Sequence, residues 1–120
     1  MARKRTDDAT RQLVAERINT ALKNRGITAK GLSKRTGISE ADISNYRHGR
    51  YVPRQDKVFL LAMALGVSPS WLWGVSDIER TDEETELEYL WSQLTQRSKE
   101  ICLDFMRYCI VREVKGEEAE

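Results

Sequence analysis

The residues that could carry chemistry in this chain are few and unevenly placed. His48 is the only histidine, and Cys102 and Cys109 are the only cysteines. A single histidine excludes a His-rich metal site, and two cysteines on one helical face do not supply a structural zinc centre. No nucleophile–base pair or glycine-rich phosphate loop is visible, so neither catalysis nor a cofactor or metal is expected. What the chain does carry is charge, sorted along its length. Residues 1–60 hold 14 Lys and Arg against 6 Asp and Glu, a net of +8, whereas residues 61–120 hold 6 against 13, a net of −7. The formal +1 of the whole chain conceals this division. A basic half of this kind fits a face built for a polyanion, joined to a segment that is not.

The elements that must position these charges are short helices. At 120 residues with two prolines and 40% apolar content, the chain can form one domain with a modest appendage. The apolar run Phe59–Val67 is too short to span a bilayer, and no secretory leader follows the basic N-terminus. Two cysteines are too few for a disulfide framework, so a reducing, cytoplasmic home is expected. Gly26, Gly37, Gly49, Gly66 and Gly74 read as helix stops. They divide the first 75 residues into five helices. The first starts near Asp7 or Thr10 and carries Val14, Ile18, Ala21 and Leu22 on one face. The second follows Thr28, the third opens at the cap Ser39, the fourth follows Pro53, and the fifth opens at Ser68-Pro69. Residues 76–84 read as a linker ending in a capping box at Thr81, with Thr95 capping a last helix that reaches about Lys115. No strand-like alternation occurs, so the fold class is all-α.

The spacing within Thr28–Gly49 (TAKGLSKRTGISEADISNYRHG) is the most informative local feature. Leu32, Ile38 and Ile43 can share a core, Ser33 is small where two helices approach, and Gly37 can take the positive φ of a tight turn. This segment resembles the helix-turn-helix of the lambdoid phage repressor and Cro family, also called the xenobiotic-response-element type. The likeness extends from Arg17-Ile18 through Ala64–Ser68 to Trp71–Gly74, over about residues 10–74. It implies a five-helix domain over 7–75 followed by a two-helix extension over 85–115, with tails at 1–6 and 116–120.

The resemblance further implies that the Ser39–His48 helix lies in the major groove of duplex DNA, with Glu40, Ala41, Ser44 and Asn45 at the base edges. Asn45 is the strongest reader, because its amide can bond adenine N6 and N7 together. Glu40 has two readings: acceptance from cytosine N4, or service to the helix N-terminus. Phosphate contacts are expected from the amides after Thr28 and from Ala29, Lys30, Arg47, Arg50, Tyr51 and Arg54. Position 29 is commonly Gln in the family and position 47 commonly Glu, so Ala29 and Arg47 depart from it. Arg3, Lys4 and Arg5 are either a basic arm around the duplex or an unspecific charged tail.

The final helix is apolar over well over half its circumference, more than packing on its own domain requires. Leu87, Leu90, Trp91, Leu94, Ile101, Phe105, Met106, Tyr108 and Cys109 are therefore expected to form a homodimer interface. The two cysteines read either as small hydrophobes or as a redox pair. The expected function is a phage or bacterial repressor binding a palindromic operator as a homodimer, with a protein antirepressor as a further candidate partner. The alternative is an antitoxin-type autoregulator whose C-terminal half binds a toxin. The 45 or so residues after the fifth helix are too few for a self-cleaving peptidase domain.

Overall fold

The computed structural model describes residues 2–116, with side chains from Asp8 onward. Every regular element among the described residues is a helix: α1 (Ala2–Arg25), α2 (Ala29–Thr36), α3 (Glu40–Arg47), α4 (Gln55–Leu65), α5 (Pro69–Trp73), α6 (Glu83–Ser92) and α7 (Gln96–Val114). No helix is long and apolar enough to cross a membrane. The chain divides into two compact units, Met1–Thr81 and Asp82–Glu120.

In the first unit the helix boundaries follow local chemistry. Thr28, Ser39 and Ser68 cap α2, α3 and α5 by accepting from the backbone N–H three residues on. Gly37, at φ 77°, ends α2 in the left-handed conformation that a side chain would resist, and its N–H bonds Ser33 O at 2.8 Å. The start of α1 differs from the expected one. Ala2 to Thr10 contains neither Gly nor Pro and is rich in good helix formers, so nothing stops the backbone before Ala2. Arg3, Lys4 and Arg5 therefore stand on the first turns of α1.

Packing turns these short helices into a domain. α1 lies against α3, α4 and α5, while α2 lies against α3 and α4. Ile18, Leu32, Leu61, Leu65 and Leu72 are fully buried at the centre. Each such side chain contributes about 1.5–3 kcal/mol by leaving water. Tyr46 and Trp71 complete the same cluster, with Trp73 packed at its edge.

Arg17 then ties the end of the domain to its beginning. Its guanidinium lies 5.0 Å over the Trp71 ring and donates to Trp71 O and to Ser76 O (2.9 Å). Ser68 N–H also donates to Glu79 O at 2.8 Å. Residues 76–79 of the expected linker are thus held on the first unit.

The second unit is built differently. Its first cap is Asp82, one residue later than the expected Thr81. The Asp82 carboxylate accepts both the Thr85 N–H (3.1 Å) and the Thr85 hydroxyl (2.8 Å), two bonds where Thr81 could offer one acceptor. Those bonds hold the Asp82 carboxyl below its ordinary value, the hydroxyl contributing most. Thr95 caps α7 through Ser98 N–H. Neither α6 nor α7 contains a buried residue. The Lys99 ammonium sits 5.5 Å over the Trp91 ring, and Phe105 stacks with Tyr108 at 6.3 Å. Beyond Gly116 the expected tail lies outside the described residues.

Candidate nucleic-acid interface

The candidate surface is the outward side of α2, the turn after it, and α3. The turn is locally self-sufficient. Thr36 donates its hydroxyl to Leu32 O and accepts from Ile38 N–H, and Ser33 donates to Ile38 O. These bonds tie the last turn of α2 to Ile38, which leads into α3.

Along α3 the helical period separates two roles. Ile43 (1% exposed) and Tyr46 face the core. Glu40 and Ala41 are exposed, and Ser44 and Asn45 are half-buried on the opposite side. All four expected base-reading residues therefore share one face. Asp42, beside them, has its N–H bonded to the Ser39 hydroxyl at the helix start. The Tyr46 phenol is pushed above its ordinary value, first by burial and then by Asp42 and Asp56, with Arg54 opposing.

The expected phosphate ligands are placed unequally. Thr28 spends its hydroxyl on Gly31 N–H, and Ala29 packs on the core, so what this end of α2 offers outward is its backbone and the exposed Lys30. Arg47 is half-buried: its Nε donates to Asn19 Oδ1 at 2.7 Å, and Asn19 Nδ2 returns a bond to Arg47 O at 3.1 Å. The side chain expected at a phosphate is engaged in clamping α3 to α1. Arg50 donates to Asn45 Oδ1 at 3.2 Å. Tyr51 is 60% exposed, and Arg54 is exposed with a loose ion pair to Asp56 at 3.7 Å. Such an exposed pair contributes little, so Arg54 can exchange partners readily.

The model of the helix-turn-helix domain family matches residues 15–76, more than half of the chain. The chain belongs to the helix-turn-helix domain family. No curated protein and no solved structure matches it. Family membership identifies it as a DNA-binding protein of the transcription-regulator kind, and in this helix-turn-helix α2 and α3 are the two helices around Gly37.

Two participants were not visible as such in the sequence. Asn19, in α1, became relevant only through its contact with Arg47, 28 residues away. His48 stands on the same face as Ser44, its Nδ1 bonded to Ser44 O at 2.7 Å. A carbonyl only accepts, so that nitrogen carries the proton and the ring covers the end of α3. Its i, i+4 spacing from Ser44 was the available signal. Among the described residues no cluster of His, Cys, Asp or Glu could hold a metal ion.

Proposed function

We propose that this protein is a sequence-specific repressor, with α1–α5 forming a lambdoid-repressor-type reading domain and α6–α7 joining two copies on a palindromic operator. One observation carries the first half of this reading: α3 presents Glu40, Ala41, Ser44 and Asn45 together on the side opposite Ile43 and Tyr46. In the major groove that face meets base edges, while Lys30, Arg50, Tyr51, Arg54 and the α2 amides meet phosphates. The role is recognition, with no catalytic step. Cytoplasmic residence accords with access to DNA.

The homodimer reading is supported by the exposed apolar side chains of the second unit, Ile101, Phe105 and Tyr108 among them. Two half-sites roughly 34 Å apart require two recognition helices. The same exposed face gives the antitoxin reading its support, since a different protein could cover it.

The test is operator selection from random duplexes followed by a salt series. Affinity for the selected site falls linearly on a log–log plot, and the site is a palindrome. Asn45→Ala relaxes preference at one base pair, whereas Arg54→Ala weakens all duplexes alike. Selection of no consensus overturns the reading, and a monomer that co-purifies with a second small protein favours the antitoxin alternative.

A further inference from the structure

The C-terminal end of α3 holds Asn45 more tightly than a surface asparagine requires. Gly49, at φ 70°, turns the chain back on the helix. The Gly49 N–H then bonds Tyr46 O at 3.2 Å, and the Arg50 N–H bonds Asn45 O at 2.9 Å. This is the Schellman closure, in which the second residue past the cap returns to the helix's third-last residue. Here it brings Arg50 over Asn45, and the guanidinium completes a second attachment at Asn45 Oδ1, 3.2 Å away. Arg50 therefore grips one asparagine by both its backbone and its side chain.

We infer that Arg50 is a positioning residue for Asn45, fixing the carboxamide so that the recognition helix distinguishes adenine from guanine. The inference rests on α3 being the helix that enters the groove. An unrestrained carboxamide turns about a broad, roughly two-fold torsion and presents its oxygen and nitrogen in either order. Guanine offers two acceptors in the major groove, whereas adenine offers N7 as acceptor and N6 as donor. An asparagine free to turn can give its N–H groups to guanine. One whose oxygen is held by Arg50 keeps a second lone pair for adenine N6 and sets Nδ2 toward N7. Both lone pairs of Oδ1 are then used, one by the protein and one by the base. Lysine at position 50 would preserve the charge toward phosphate but not the planar fork that fixes the oxygen.

The experiment uses the full chain and its selected operator, alongside a duplex with the A·T pair under Asn45 replaced by G·C and a scrambled duplex. That pair is the one whose replacement weakens the wild-type protein but not Asn45→Ala. The wild-type preference at this pair is about tenfold or more, as for a bidentate contact. Arg50→Lys brings it to within about twofold of the Asn45→Ala value; because the preference is a ratio of two affinities of one variant, any loss of phosphate contact, read separately on the scrambled duplex, cancels from it. The double variant matches Asn45→Ala alone, as expected for two residues acting as a unit. Retention of the wild-type preference by Arg50→Lys, with Asn45→Ala still impaired, overturns the positioning role and leaves the recognition helix intact. If Asn45→Ala keeps its preference at every base pair, the assignment of α3 residues fails and the inference fails with it. Circular dichroism confirms that the variants are folded.

Discussion

The two units of this protein are equally helical and differ in what holds them. In the first, five helices of 5 to 24 residues bury a common cluster, and the side chains of Ile18, Leu32, Leu61, Leu65 and Leu72 lose all exposure. In the second, helices of 10 and 19 residues are well capped, yet neither buries a residue. Local signals suffice to define a helix. They do not suffice to stabilise one, because isolated helices up to about 12–15 residues are marginal in water. The apolar side chains that should finish the second unit are present but face outward, with Phe105 64% and Ile101 59% exposed. One unit buries a common core, and the other leaves its apolar side chains exposed.

The largest expected difference between them comes from core truncation. Leu61→Ala should cost about 2–5 kcal/mol in urea unfolding at every protein concentration. Phe105→Ala, by contrast, should under the proposed dimerisation destabilise only above the dissociation constant, its effect vanishing on dilution. A concentration-independent loss for Phe105→Ala would erase the contrast between the units. Next, Phe105→Glu should leave the near-ultraviolet spectrum of the first unit unchanged and give a monomer in sedimentation. Its affinity for the palindromic operator should fall by about 100-fold or more while half-site binding persists, because joined half-site readers gain at least that factor.

A smaller effect is expected at the α1–α3 clamp. Asn19→Ala removes both bonds to Arg47 and should cost about 1–2 kcal/mol. The smallest effects are pH responses, and they fall at opposite ends of the scale. The folded Asp82 carboxyl lies below its ordinary value of 3.8, so its capping contribution is full above 3.8 and is lost as pH falls through the lower folded value. Far-ultraviolet helicity should therefore drop more steeply below about pH 4 in wild type than in Asp82→Ala. The folded Tyr46 phenol lies above its ordinary value of 10.0, so its contribution is full below pH 10.0 and is lost as pH rises beyond. Unfolding melts of the first unit should show that loss, and Tyr46→Phe should remove it.

Much of the reading domain was legible because its signals are local. Ser39, Gly37 and Pro69 each determine the backbone within three or four residues, and the i, i+3, i+4, i+7 pattern of Val58, Leu61, Ala62 and Leu65 names its own buried face. The shared face of Glu40, Ala41, Ser44 and Asn45 follows from the same periodicity. What was not legible depends on distance or on competition. The role of Arg47 is set by Asn19, and residues 76–79 are held by Arg17 and Ser68, contacts that no sequence window contains. The start of α1 was misplaced because an apolar stripe marks where a helix is needed, while the backbone continues until something stops it. Asp82 outcompetes Thr81 as a cap because a carboxylate accepts two bonds at once.

The anchoring of residues 76–79 also has a mechanical meaning. Glu79 is bonded to Ser68, and Asp82 is already the cap of α6, so Arg80 and Thr81 alone separate the last anchored residue from the next helix. In the proposed dimer, a tether of two residues would limit how far the helical phase between two half-sites can vary. An operator whose half-sites are moved apart by half a turn of duplex would then be refused, although each half-site is intact. Lengthening the joint with glycine and serine between Arg80 and Thr81 would relax that refusal, exchanging strict phasing for reach.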